Sequence, residues 1–359
     1  MKKIVFIHLF VIVFSVLPAF GKSDTSDIEN LKADKKKKSI AIFESEKLME
    51  ISLELDLKSY LKKDFKESLD AVLTFHLDKT DSLSRNVKVN NRGTFRSSYC
   101  KYPPLEIYFA KTVQAYSGSG KVHRLKLFTC CDSGDQYDEY VLREYLVYKL
   151  YNVLTDTSYR VRLLKVSLID TQKKKKPIIQ YGFFLEPKEV LAERINSKVL
   201  ESTKLGQKHV IPEVMDRLAI FNYMISNYDW SVTGQHNVTI LQTLTSNPSG
   251  LGIAIPHDFD GTGVVNALYA VPTSESGLKS IRDRIFLGTC RSKEVFQEEL
   301  KKFLDKKKEL YRVVADFPYL NRNSKKDVTD FLDEFFDQIE RQKTLDNLIS
   351  NFMKNCKKS

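Results

Sequence analysis

Tryptophan is almost absent from this sequence: Trp230 is the single one among 359 residues, beside 5 methionines and 6 histidines. No Cys-x-x-Cys pair and no His/Cys grouping has structural-zinc spacing, which excludes a zinc-ribbon or finger module. Basic stretches interleaved with aromatics and nucleic-acid motifs are also missing. The formal net charge of +11 therefore does not point to DNA or RNA. Beyond the first residues no apolar run is long enough to span a membrane, so no transmembrane span is expected in the mature chain.

The N-terminus carries a secretory pattern. Lys2 and Lys3 precede the apolar IVFIHLFVIVFSVL, Pro18 ends it, and Ala19-Phe20-Gly21 fits a small-x-small cleavage site. The expectation is a signal peptide over 1–21, a flexible Lys-rich tether over 22–40, and an exported protein, periplasmic or secreted. No cysteine directly follows the apolar run, so nothing indicates lipid attachment.

With 42% hydrophobic and 29% charged residues, the full sequence has globular composition. Two lysine runs, Lys35–Lys38 in the tether and Lys173–Lys176 between strand-like segments, read as solvated loops. There are 5 cysteines: Cys100, Cys130, Cys131, Cys290 and Cys356. An odd number leaves at least one unpaired in a monomer, and export permits disulfides. Spacing does not select the pairs, although the neighbours Cys130 and Cys131 are poor partners for each other.

Apolar alternation predicts short strands at KLMEISLELDL, AVLTFHL, NVKVNNRG, PLEIYFAK and HRLKLFTC, with turns marked by Asp, Ser, Gly and Pro103-Pro104. DEYVLREYLVYKLYNVL changes period. Val141, Leu142, Tyr145, Leu146 and Leu150 share one face of an amphipathic helix. RVRLLKVSLID and IIQYGFFLE return to strands. Residues 41–186 thus read as an antiparallel sheet carrying one helix, a β-rich N-lobe.

Residues 187–359 read as a mostly helical C-lobe. It opens at PEVMDRLAIFNYMISN, with Pro212 at an early helix position. Short strands follow at NVTILQTL and GLGIAIPHDFD, around a turn at Asn247-Pro248-Ser249-Gly250, and C-terminal helices follow from Lys293. The expected class is α+β, two-lobed, with polar residues of both halves meeting in a cleft.

Four polar clusters stand out. Arg92-Gly93 sits in a turn ahead of Lys101, where glycine lets backbone amides approach an anion that arginine or lysine neutralises. By itself this is also what a plain hairpin looks like. Lys126 on a strand and Glu144 on the next helix have the order of the pair that holds nucleotide phosphates in protein kinases. The third cluster, NYDWSVTGQHN, places Asp229 and Asn237 at a helix–strand junction, and the fourth, HDFDG, places Asp258 and Asp260 after an apolar run. Singly, each could be an Asx-rich turn satisfying its own backbone. In this order they match phosphoryl transfer: one Asp orients the hydroxyl, and an Asn and a second Asp hold Mg²⁺.

The segments RGTFRSSYCKYPPLEIYF, LREYLVYKLYNVLTDTSYRVRLLKVSLID, YGFFLE, FNYMISNYDWSVTGQHNVTIL, IPHDFDGTGVVNALYAVP and RDRIFLGTCR span about 45 to 291. Together they resemble the CotH (spore-coat protein H-like) kinase family, in its secreted Bacteroidetes-type branch. The resemblance implies an atypical protein-kinase-like fold binding ATP and Mg²⁺ (or Mn²⁺) between two lobes. By motif it implies Asp229 as the catalytic residue and Asn237, Asp258 and Asp260 as metal ligands. Arg92, Glu144, Glu186 and either Lys101 or Lys126 would serve the nucleotide. His257 and Tyr228 depart from the family pattern, which has tyrosine or tryptophan and a small residue there.

The expected activity is transfer of a phosphoryl group to a hydroxyl of an unidentified protein substrate in the cell envelope. The alternative is a pseudokinase-type binding protein without turnover. A hydrolase built on Asp258 and Asp260 lacks the His and Glu ligands such sites usually add.

Overall fold

Alternating side chains turn the first half of the chain into strands, and pairing at both ends rolls those strands up. The computed structural model describes residues 40–358 apart from 63–66, 94, 203 and 246–249. The signal peptide, the tether up to residue 39 and positions 247–249 of the expected turn lie outside the described residues, while Ile40, the last residue of the expected tether, is buried. The strands are β1 (Met49–Leu55), β2 (Leu69–His76), β3 (Ser82–Asn91), β4 (Leu105–Tyr116), β5 (Ser119–Thr129), β6 (Val161–Asp170), β7 (Ile178–Leu185), β8 (Ser197–Leu200), β9 (Val238–Thr243) and β10 (Ile253–Pro256). The helices are α1 (Leu57–Tyr60), α2 (Phe95–Tyr99), α3 (Asp135–Leu154), α4 (Lys188–Arg194), α5 (Pro212–Met224), α6 (Lys293–Ala315), α7 (Arg322–Glu340) and α8 (Gln342–Asn355).

The mixed α+β class agrees with the sequence, but the expected antiparallel sheet is corrected to a closed barrel. Its strand order is β1-β2-β3-β4-β5-β7-β6. Closure comes from β1 lying parallel to β6, Leu53 opposite Leu168, while the other neighbours are antiparallel. Closing the sheet removes both free edges and lets one face of every strand fill the interior. Leu53, Leu73, Val89, Ile107, Leu127 and Leu168 are fully buried there.

Part of the outer face of β5, β6 and β7 is apolar too. Phe128, Leu163 and Phe183 belong to a second core that includes α3. Helix α3 packs against β7 on one side and α6 on the other. Val141 through Tyr148 are consequently buried without interruption, Arg143 and Glu144 among them. The one-sided amphipathic helix expected from periodicity is therefore a helix enclosed all round.

Helix α5 begins at Pro212 and buries Met215, Leu218, Ala219, Tyr223 and Met224. Strand β9 is central to a second sheet, ordered β10-β9-β8. The C-terminal helical stretch divides at Arg341, whose extended backbone (φ −112°, ψ 133°) separates α7 from α8. Disulfides join Cys100 to Cys131 and Cys290 to Cys356, leaving Cys130 as a buried thiol. No helix among the described residues is long and apolar enough to cross a membrane.

Candidate functional site

The β9–β10 hairpin builds the centre of the site. Its register sets Val238 opposite Pro256. One step further the His257 N–H donates to the Asn237 carbonyl at 2.9 Å. Asn237 and Asp258 therefore emerge at the same end of the hairpin despite their separation in sequence. Both adopt left-handed backbone, with φ of 51° and 64°. Asn and Asp tolerate that region best among non-glycine residues, and such conformations gather at functional sites.

The loop from α5 to β9 brings Asp229 to the same place. The Asn227 N–H donates to the Asn222 carbonyl at 2.8 Å, and its side chain donates to Asn222 Oδ1 at 2.9 Å, anchoring the loop to α5. Asn227 Oδ1 then accepts from the Asp229 N–H at 3.0 Å. Asn237 Nδ2 donates to the Asp229 carbonyl at 2.8 Å and to its Oδ2 at 3.1 Å. His236 Nε2 lies 2.7 Å from Asp229 Oδ1. Trp230 is buried and packs the loop rather than facing the cleft.

Helix α3 supports the other carboxylates. The Tyr148 hydroxyl accepts from the Asp258 N–H at 2.9 Å. Phe259, fully buried, meets the Tyr148 ring edge-on at 4.7 Å and Phe221 of α5 at 5.9 Å. One turn before Tyr148, Glu144 is 1% exposed. Its cationic neighbour is Arg96 of α2, whose Nη1 stands 3.9 Å from Glu144 and 3.6 Å from Asp260. Burial and the neighbouring Asp260 hold the Glu144 carboxyl well above its usual range, with Arg96 opposing. Burial, then the charge of Asp258, raises Asp260 to about 6.

Two cavities open among these residues and their sequence neighbours. The smaller, about 420 Å³, is lined by Asp229, Asn237, Asp258, Asp260, Arg92 and Arg96 together with apolar neighbours. The larger, about 860 Å³, is lined by Lys126, Glu106, His257 and the stretch from Leu185 to Glu189. Arg92 lays its guanidinium over the Phe128 ring at 4.2 Å. Lys126 projects from β5 opposite in sense to the interior residues Leu125 and Leu127. Although the residue is exposed, desolvation by the surrounding protein, then the positive charge of Arg92, lowers its pKa, while Asp258 and Glu106 oppose the fall. His257 is lowered to about 4 by burial, then by Lys126.

Two candidates are placed elsewhere or otherwise engaged. Lys101 lines neither cavity: its exposed ammonium pairs with Asp132 at 3.3 Å, because the Cys100–Cys131 disulfide draws those segments together. Glu186 borders the larger cavity, yet its carboxylate accepts from the Tyr116 hydroxyl at 2.7 Å, the Arg160 N–H at 3.0 Å and Arg194 Nε at 2.9 Å. It ties the exit of β7 to α4 and has little left for a ligand. Sequence reasoning missed Arg96, Tyr148 and His236. Tyr148 could have been found as the residue one helical turn beyond Glu144.

Among the described residues, no group of three or more His, Cys, Asp or Glu side chains is arranged to hold a metal ion alone. The donors present are Asn237 Oδ1, left over by its Nδ2 bonds, and the Asp258 and Asp260 carboxylates. That set fits Mg²⁺, which keeps several waters and takes one or two carboxylates plus substrate phosphates.

No family model matches the chain, and no curated protein does. One similar solved structure is the proinflammatory kinase CtkA of Helicobacter pylori, at 9% identity and a TM-score of 0.38, covering 68% of this chain and 92% of that one.

Proposed function

We propose that the chain is an exported, metal-dependent phosphotransferase with a kinase-like arrangement, moving the terminal phosphoryl group of ATP to a protein hydroxyl. The observation that carries this reading is the meeting of Asp229, Asn237 and Asp258 at one end of the β9–β10 hairpin: Asn237 bonds Asp229 at 2.8 and 3.1 Å, and the 2.9 Å bond from the His257 N–H to the Asn237 carbonyl brings the neighbouring Asp258 to the same end. Asp229 is 55% exposed in its side chain and is positioned to orient and deprotonate an incoming hydroxyl. His236 and Asn237 fix the rotamer of that carboxylate. Asn237 Oδ1 and Asp258 hold Mg²⁺ or Mn²⁺, with Asp260 as an additional donor. A divalent cation, when bound, neutralises charge on the phosphates. Lys126 and Arg92 extend positive charge from the larger cavity, which takes the nucleoside, toward the carboxylates.

A second reading is a pseudokinase-type envelope protein that binds without turnover. It is favoured by one feature: both Asp229 carboxylate oxygens already accept hydrogen bonds, from His236 and Asn237. Transfer of labelled phosphate from ATP·Mg²⁺ to a protein acceptor separates the two. The kinase reading expects transfer by the wild type and a loss of about 10²- to 10⁴-fold in Asp229→Ala with folding intact. Transfer that survives Asp229→Ala undiminished refutes the assigned role. Ligand stabilisation without transfer selects the second reading.

A further inference from the structure

Arg96 is the most confined cation in the molecule's cleft. It is 8% exposed, and its Nη2 donates to the Thr129 carbonyl at 2.6 Å. Among the described residues its enclosed Nε and Nη1 have no hydrogen-bond acceptor, and the buried Glu144 Oε1 beside them has no donor. The carboxylates at 3.6 and 3.9 Å compensate the charge but lie beyond hydrogen-bond reach. Buried donors left without acceptors are costly, about 1–3 kcal/mol each, so their retention calls for a reason. The cavity lined by Arg96 supplies one, since Asp229, Asp258 and Asp260 line the same space.

We infer that Arg96 is an anion-binding residue of the cleft, whose unpaired N–H groups donate to non-bridging phosphate oxygens of a nucleoside polyphosphate. The inference rests on the nucleotide-binding part of the proposed function. It also replaces one element of the expectation from sequence, because neither Lys101 nor Lys126 is the cation beside Glu144. Arginine suits the task. It is charged at any accessible pH, and its planar fork offers parallel donors that match phosphate geometry. Held between Glu144 and Asp260, the guanidinium is already oriented and loses little freedom on binding. Glu144 then acts as a positioning residue, keeping Arg96 folded against α3 when no anion is present.

The test is isothermal titration of the full chain with ATP, inorganic triphosphate and adenosine, each with Mg²⁺. Arg96→Gln alone would strand the buried Glu144, so the informative variants are Arg96→Lys and the double variant Arg96→Gln/Glu144→Gln. Melting of the unliganded proteins checks that both fold. The double variant is expected to lose about ten- to hundredfold in ATP and triphosphate affinity, with Arg96→Lys between it and the wild type. Adenosine affinity is expected to stay unchanged, a split that general loosening of the fold would not produce. Unchanged triphosphate affinity in folded variants overturns the inference and leaves the proposed function standing. A wild type that binds ATP no better than adenosine overturns it as well. Binding through Arg96 in a chain that transfers no phosphate supports it while refuting turnover. Failure of the wild type to bind any of the three ligands overturns both.

Discussion

The backbone N–H of Asp258 donates to the Tyr148 hydroxyl at 2.9 Å, fastening the carboxylate wall of the cleft to the enclosed helix α3. The same helix carries Glu144 one turn earlier, beside Arg96. A single element therefore sets both the backbone of the candidate metal ligand and the buried charge pair next to it. Tyr148→Phe removes the acceptor while keeping the ring against Phe259. It should cost about 1–3 kcal/mol in chemical denaturation and lower divalent-cation affinity along with it. Stability and cation binding equal to wild type would mean that the bond does not hold Asp258 in place.

Phe259 lies between Asp258 and Asp260 and packs against both α3 and α5. Phe259→Ala leaves a cavity at the meeting point of those helices. A loss of about 3–5 kcal/mol is expected in urea unfolding. Phe259→Leu, which fills much of the volume, should cost much less.

His257 gives the protein a pH dependence of definite sign. Burial and Lys126 depress its pKa from 6.5 to about 4, so the unfolded chain binds the proton more tightly than the folded one. Stability from this group is present above pH 6.5 and is lost as pH falls toward 4. Asp260, raised to about 6, acts in the opposite sense over part of that range, so the comparison has to be made against a variant. Melting temperature of the wild type should fall relative to His257→Gln between pH 6.5 and 4. Parallel curves would contradict the assignment.

Strand alternation and the helix periods were legible because they are local. Closure of the barrel was not, since the parallel pairing of β1 with β6 depends on contacts far apart in the chain. The burial of α3 on all sides was hidden for a related reason. Arg143 and Glu144 look like surface charges until Asp327 and Arg96 arrive from distant segments. In the site, Asn237 and Asp258 are joined by a short hairpin whose strands could be read directly. Which cation meets Glu144 depends on how α2 sits over α3, and no local pattern reports that. Lys101 was misleading because the nearby disulfide turns its segment toward Asp132.

The cysteines allow a chemical check of the fold. Cys130 is buried, its thiol accompanies Asp138 at 3.0 Å, and burial pushes its pKa up. A buried, protonated thiol reacts slowly. Iodoacetamide should therefore spare the native protein and label one cysteine after unfolding without reductant. Mass mapping should place that label on Cys130. Opening the Cys290–Cys356 link by Cys356→Ser should cost about 2–4 kcal/mol.

The central claim, that Asn237 and Asp258 form a cation-dependent nucleotide site, is tested most directly by a thermal-shift titration of the purified chain. ATP with Mg²⁺ or Mn²⁺ should raise the melting temperature in a saturable way, while ATP with chelator should raise it far less. Asp258→Asn should abolish the difference between the two. No shift with ATP and cation, or the same shift with the cation removed, would contradict the account.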